Sequence, residues 1–360
     1  GCSQALFSDT VPDSAAVNTS VQLCKDAGAA GLSGLVNGIL RNIVRHKSDI
    51  NIPEGDSVEN TALRYSCKSW MVEMLGAQYT TEESEDILGF RPIPLTVSVN
   101  TWKTNGREQA AARLKEDGWE VGDGRWTPQA IQVKGAGSIA GHPLYRDGEI
   151  SIVSESAILA VQCVDARPGE RVLDACAAPG GKSVLLAQSV GESGHVDAWD
   201  IHPHRVELTR AQIKRLGLPN VIASVKDATV PDQTAYGKYD RVLCDMPCTG
   251  WGVLCQKPEL RFNGRIGAVG NLCAIQREIL ECCSRYVRKG GVLVYVTCTV
   301  NKMENEDMVI AFMENHNEYR LDDPTPYLPD GLHPHIRDNG MVQLMVGRDG
   351  VPGFFICRMV

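Results

Sequence analysis

Arg171-Val-Leu-Asp-Ala-Cys-Ala-Ala-Pro-Gly-Gly-Lys-Ser183 is the stretch on which the reading of this chain turns. An apolar run closes on an acid, Asp174, bends through Ala177-Ala-Pro-Gly-Gly181, and passes into a helical pattern from Val184 to Val190. That order predicts a strand, a tight turn and a helix N-terminus, the arrangement by which a doubly wound α/β sheet presents a ligand site. The glycines let backbone N–H groups come close to a ligand, and the helix end adds unpaired donors and a partial positive charge. Such a corner also occurs as a purely structural βα turn, so its meaning depends on what surrounds it.

Downstream, strands and helices alternate to the end of the chain. The pattern predicts strands at 171–175, 195–199, 221–225, 241–245 and 291–297, with helices near 182–190, 203–216, 271–287 and 303–316. The segments 341–346 and 353–359, joined by Gly347-Arg-Asp-Gly350, read as an antiparallel hairpin. Five parallel strands capped by a hairpin make one doubly wound, Rossmann-like α/β domain. Upstream, 95–99, 119–121 and 130–134 read as strands and 107–116 as a helix, a small α/β module. A helix is expected at 156–163, and a helical pattern over 61–77 is closed by the stiff Arg91-Pro-Ile-Pro94. The polar stretch 48–60 reads as a linker. Before it, two helices over 16–47 are separated by Gly28-Ala-Ala-Gly31. Two helices cannot enclose a core, so this segment is either docked on the rest or the tail of a helical domain.

The 360 residues are 43% hydrophobic and 22% charged, a globular balance on a chain long enough for two or three domains. No apolar run is long enough to span a bilayer, and no basic segment followed by an apolar one marks a secretory signal. The opening Gly1-Cys2-Ser3 lacks Met and Ala5 breaks a myristoylation motif, so the start reads as a fragment boundary or tag remnant. Thirteen cysteines include several inside apolar runs (Cys163, Cys176, Cys244, Cys273, Cys357), and no Cys-x-x-Cys pair or zinc-type His spacing accompanies them. Reduced thiols, a cytoplasmic location, no metal and a monomer are expected. The net charge of −8 argues against a hold on nucleic acid by bulk charge, yet leaves a local basic groove open.

Ligands of such sheets bind beyond the carboxyl ends of the strands, and those ends carry polar residues here. Asp174, Asp200, Asp227 and Asp245 close or follow the first four strands, and Thr297-Cys298-Thr299 ends the fifth. Asp200 stands at the distance from the glycine turn at which an acid accepts from a ribose diol. A strand-end Asp is also an ordinary helix N-cap; recurrence on successive strands favours the ligand reading. Cys298 sits where a strand interior gives way to a turn, and Cys248 lies in a Pro-fixed turn beside Asp245. A nucleophilic thiol needs such exposure and a stabilised thiolate.

Asp174-Ala-Cys-Ala-Ala-Pro-Gly-Gly-Lys182, Asp245-Met-Pro-Cys248 and Thr297-Cys298-Thr299 resemble the motif set of the RNA cytosine-5 methyltransferases of the Sun (Fmu) or nucleolar Nop/Sun family. Gly34-Leu-Val-Asn-Gly-Ile-Leu-Arg41 resembles the end of the NusB-like helical domain of the bacterial small-subunit ribosomal RNA enzyme, and 95–100 its linking subdomain. The resemblance spans nearly the whole chain. It implies a helical NusB-like remnant at 1–50, a linking α/β RNA-binding subdomain at 51–150 and an S-adenosylmethionine-dependent methyltransferase domain at 151–360. Departures are Glu155 for the usual Asp, Thr299 for the commoner Ser, and a NusB-like part present only as its tail.

Residue by residue, the resemblance implies that Cys176, Ala177, Ala178, Pro179, Gly180, Gly181 and Lys182 surround the methionine part of S-adenosylmethionine. Asp200 would hold its ribose and Asp227 its adenine. Cys298 would attack C6 of the target cytosine, Asp245 would bind the base edge, and Cys248 would assist release of the covalent adduct. Lys182 would face either the cofactor carboxylate or the catalytic cysteine. The target base must leave any stack, so single-stranded or remodelled RNA is expected. Lys257, Arg261 and Arg265 are the candidates for phosphate contacts. Ribosomal RNA is favoured over transfer RNA as substrate. A catalytically silent RNA-binding assembly factor and a DNA cytosine-5 enzyme are the rival readings; retention of both cysteines with Asp245 argues against the first, and the Thr297-Cys298 motif against the second.

Overall fold

The computed structural model describes every residue of the chain except Ile52, Phe90, Asn105 and Asp338. It divides into two compact units, Gly1–Ser66 and Cys67–Val360. In the first, helices Asp13–Asp26 and Ser33–Arg45 pack together beside Cys2–Phe7. They bury Ala5, Ala16, Val17 and Leu40 but leave Leu23, Leu32, Leu35 and Ile39 exposed, as expected of helices too few to enclose a core. The helical pattern expected over 61–77 is not continuous. It forms two helices, Val58–Arg64 and Ser69–Gly76, with Ser66 left-handed (φ 50°) between them.

The second unit contains two sheets. The smaller is built from β1 (Leu95–Val99), β2 (Glu120–Asp123), β3 (Ala130–Lys134) and β4 (Ile150–Ile152), in the order β2-β3-β1-β4 with every pairing antiparallel. Helix Arg107–Glu116 brings Ala110, Ala111 and Leu114 to Val97, Ile131, Val133 and Ile150, closing a small core. Three residues of β4 are too few to show a period, so that strand was not legible in the sequence. Asn100 ties this module down, donating to the carbonyls of Gly148 and Leu216 at 2.8 Å each.

The larger sheet carries β5 (Arg171–Asp174), β6 (His195–Asp200), β7 (Val221–Val225), β8 (Tyr239–Asp245), β9 (Val287–Thr297), β10 (Val342–Gln343) and β11 (Phe355–Met359). Its order is β10-β11-β9-β8-β5-β6-β7, parallel from β5 to β9 and antiparallel at β10 and β11. The run Val292-Leu-Val-Tyr-Val296 is almost wholly buried, as a strand covered on both faces must be. Strand order reverses beside β5, and such a switch point leaves a crevice at the carboxyl edge. The C-terminal strands pair as expected, but the connection is longer than a hairpin turn. Only Val342–Gln343 stays extended before Val346–Asp349 forms a helical turn, locked where buried Asp349 accepts from the Met345 N–H at 2.7 Å.

Candidate active site

A cleft of about 360 Å³ opens where β5 to β9 end. Of the residues expected at a site, Cys176, Ala178, Pro179, Asp200, Asp227, Asp245, Cys248 and Cys298 line it. The others build its wall. The Ala177 N–H donates to the Trp199 carbonyl at 2.7 Å, the Gly180 N–H to the Ala177 carbonyl at 2.7 Å, and Gly181 begins the helix Gly181–Val190. Gly180 is left-handed (φ +100°), and a Cβ there would meet Thr209 Cγ2 at 2.9 Å, so both conformation and space require glycine.

Asp174 lies under this turn without exposed surface. Its Oδ2 accepts from Ser183 Oγ at 2.6 Å, whereas its Oδ1 has no hydrogen-bond partner among the described residues. Burial pushes the carboxyl up to about 7; Asp245 and Asp200 add to that, and Ser183 and Lys182 oppose it. Asp200, at the end of β6, accepts from the His202 N–H at 3.0 Å and pairs with Arg205 at 3.2 Å. Arg205 also donates to the Ala178 carbonyl at 2.6 Å, which joins the glycine turn to the mouth of β6. Asp227 accepts from the N–H and hydroxyl of Thr229 at 2.9 and 2.6 Å. Between these acids, half-exposed Ile201 and the Ala178-Pro179 pair give the cleft apolar surface. Two strand-end carboxylates, an apolar slot and a side-chain-free turn fit a nucleoside cofactor with a charged tail.

On the other side of the cleft, Cys248 and Cys298 bring their sulfurs to 3.3 Å. The hydrogen bond from the Cys248 thiol lowers the pKa of Cys298 against the opposing effects of burial and Asp245, and the Lys182 and Lys257 charges add to the lowering. The same bond, together with burial, raises Cys248 well above an ordinary thiol. The two shifts run in opposite directions, so a thiolate forms more readily on Cys298 than on Cys248. Lys182 Nζ contacts Asp245 Oδ2 at 2.6 Å; burial works against its charge, but Asp245 outweighs it and its pKa is raised. Lys182 thus pairs with Asp245, and its charge adds to the lowering of Cys298.

The three cations singled out for phosphate contacts do not share one fate. Lys257 is exposed and lines the cleft, and Arg265 is exposed before the helix Ile266–Ser284. Arg261 is instead buried, and its guanidinium donates to the Leu88 carbonyl at 2.6 Å. That removes it as a phosphate ligand, since the charge faces the protein interior. Glu155, the departure from the usual Asp, is buried and accepts from the N–H groups of Arg125, Trp126 and Thr127 at 2.8, 2.8 and 2.9 Å. Three further polar side chains beside the cysteines went unseen in the sequence: Gln276, Glu304 and Asn305, all at 0% exposure. Their one sequence signal is polarity where a buried helix face or a helix start should be apolar or capped.

The Rossmann-like sheet with its carboxyl-edge cleft is the fold of the methyltransferases that use S-adenosylmethionine, and the family model gives the class. The chain belongs to the 16S rRNA methyltransferase RsmB/F family, whose model matches residues 161–360. The NusB family model matches residues 1–45, and the RsmF/B-like ferredoxin-like domain matches 68–140. A probable ribosomal RNA small subunit methyltransferase B of Bacillus subtilis (strain 168) is 34% identical, over 99% of this chain and 80% of that protein. One from Synechocystis sp. (strain ATCC 27184 / PCC 6803 / Kazusa) is 32% identical, over 100% of this chain and 81% of that protein. Among solved structures, that of PH0851 superposes with a TM-score of 0.86 at 28% identity, covering 99% of this chain and 80% of that one. NSun6 from Pyrococcus horikoshii with SFG shares the fold, with a TM-score of 0.69 at 19% identity over 80% of this chain and 97% of that one. Among the described residues no cluster of His, Cys, Asp or Glu is set to hold a metal, and no helix is long and apolar enough to cross a membrane.

Proposed function

We propose that this methyltransferase modifies C5 of a cytosine in ribosomal RNA through a covalent bond between Cys298 and C6 of the base. The observation that carries this reading is the thiol pair at 3.3 Å beside the Lys182–Asp245 pair. S-adenosylmethionine supplies an electrophilic methyl group. The turn from Cys176 to Lys182 takes its methionine part, Asp200 its ribose hydroxyls and Asp227 its adenine. In that reading residues 1–50 and 51–150 serve RNA docking and 151–360 the chemistry, with Lys257 and Arg265 on phosphates.

Cytosine C5 is a poor nucleophile while the ring is aromatic. The Cys298 sulfur donates its electron pair to C6, and the new S–C6 bond leaves C5 electron-rich enough to accept the methyl group. Asp245, held by Lys182, accepts from the amino edge of the base and keeps C6 in line with the Cys298 sulfur. In the return step the C5 proton leaves to water, the C6–S bond breaks, and its electron pair goes back to Cys298. The Cys248 thiol, 3.3 Å from that sulfur, donates to the departing thiolate and stabilises it.

Labelled methyl transfer to bulk ribosomal and transfer RNA, followed by bisulfite mapping, tests the reading. Cys298→Ala is expected to abolish transfer with cofactor binding intact, and Cys248→Ser to accumulate a denaturant-resistant protein–RNA adduct. Undiminished turnover in Cys298→Ala refutes the covalent route, and label confined to transfer RNA refutes the substrate.

A further inference from the structure

Glu304 and Asn305 are adjacent and wholly buried, and neither lines the cleft, yet each holds both neighbours of one reactive thiol. Glu304 Oε1 accepts from the Thr249 N–H at 2.9 Å and from Gln276 Nε2 at 3.1 Å. Its Oε2 accepts from the Thr249 hydroxyl at 2.6 Å and from Asn301 Nδ2 at 3.0 Å. Gln276 Nε2 also donates to the Pro247 carbonyl at 2.9 Å. Pro247 and Thr249, the residues on either side of Cys248, are therefore tied to one carboxylate, directly and through Gln276.

Asn305 does the same for the other thiol. Its Oδ1 accepts from the Thr297 hydroxyl at 2.6 Å, and its Nδ2 donates to the Thr299 carbonyl at 3.1 Å and to Gln343 Oε1 at 2.8 Å. Thr297 and Thr299 flank Cys298. The clamps meet where the Thr249 and Thr299 hydroxyls approach to 2.7 Å. Thr249 gives its only hydroxyl proton to Glu304, so Thr299 is the donor in that bond. The two sulfurs are thus brought together by two neighbouring side chains on one backbone turn, joined through a directed chain of hydroxyls.

We propose that Glu304 and Asn305 are positioning residues for separate halves of the reaction: Glu304 aims Cys248 for release, and Asn305 aims Cys298 for addition. The assignment rests on the covalent reading above. A carboxylate is required at 304 because each of its oxygens meets two donors. A glutamine turned one way sets its NH₂ against the Thr249 N–H and the Gln276 amide. Turned the other way it meets Asn301 Nδ2, whose amide is held in that sense by the 2.9 Å bond from Gln78 to Asn301 Oδ1. The first orientation breaks the bonds that hold Thr249 and Gln276, and the second breaks the bond to Asn301 and reverses the Thr249 hydroxyl, whereas the bonds of Asn305 stay intact.

The experiment compares Glu304→Gln and Asn305→Asp with the unmodified protein, reading the first-turnover methylation rate, steady-state turnover, denaturant-resistant RNA adduct and S-adenosylmethionine affinity. Measured at a pH above the Cys298 limb, Glu304→Gln is expected to keep the first-turnover rate, lose about 100-fold in steady-state turnover and accumulate adduct, since a 1 Å misplacement of a catalytic group costs about that factor. Asn305→Asp is expected to lose about 100-fold in the first turnover without accumulating adduct. Cofactor affinity is unchanged in both. Equal losses in both steps for both variants, with no adduct in Glu304→Gln, overturn the proposal. Should Glu304→Gln not fold, Thr249→Val and Gln276→Leu must show the adduct excess instead, and its absence in both overturns the proposal equally. Unmodified protein that leaves cytosine C5 unmethylated overturns the reading beneath; methylation by it with indistinguishable variants overturns only the division of labour.

Discussion

Asp174→Asn is the sharpest test of how the glycine turn is built. The carboxyl has no exposed surface, one hydroxyl donor at 2.6 Å, and a second oxygen without a partner among the described residues. Burial raises its pKa from the ordinary 3.8 to about 7. The folded chain therefore binds this proton more tightly than the unfolded chain does. The resulting stability is fully present below the unfolded value and is lost as pH climbs through the folded one. Each pKa unit is worth about 1.4 kcal/mol, so roughly three units amount to about 4 kcal/mol between pH 4 and pH 8. Asparagine keeps the shape, never ionises, and escapes that loss. Denaturant unfolding of both proteins across this range should give a stability difference that moves in favour of the variant by about 4 kcal/mol as pH rises. Most of the change falls below pH 7. A difference that stays flat with pH would refute the claim that burial dominates this carboxyl.

Other outcomes follow from the same geometry. The first-turnover rate should rise with pH through a limb below the ordinary cysteine range, and Cys248→Ala should move that limb upward, because the Cys248 thiol is the largest influence lowering Cys298; a limb that stays in place refutes that cause. Lys257→Ala should weaken RNA binding uniformly and reduce the salt slope by about one charge, with unchanged melting. Arg261→Ala should do the reverse, leaving the salt slope alone while costing about 1–3 kcal/mol of stability for the bond to the Leu88 carbonyl. Glu155→Gln should cost about 2–3 kcal/mol, since one oxygen surrounded by backbone N–H donors becomes a donor itself; a loss below measurement error in a thermal melt contradicts that account.

What the sequence determined by itself is local. The strand, turn and helix from Arg171 to Val190 follow from an apolar run, a glycine pair and a helical period, all within a few residues of one another. The strand-end acids were legible for the same reason, because a strand that stops at its polar residue announces where its carboxyl end lies. Helix Pro203–Leu216 and strand Val221–Val225 carry complete periodic patterns and their bounds could be read directly. Shorter elements such as Ile150–Ile152 have no period to read, and the break at Ser66 depends on a backbone angle that no composition signals.

What only the tertiary structure decided depends on approach between distant segments. Nothing near Arg261 marks it as buried; the Leu88 carbonyl that receives it lies 173 positions away. Cys248 and Cys298 are 50 positions apart and meet because β8 and β9 are parallel neighbours whose ends open side by side. The pairing of Lys182 with Asp245, the closure of a carboxylate around the turn at Cys248, and the opposite pKa shifts of the two thiols all arise at that meeting. A chain can encode which residues end its strands by local pattern, but which of those ends face one another is set by sheet order and the side chains packed beneath it.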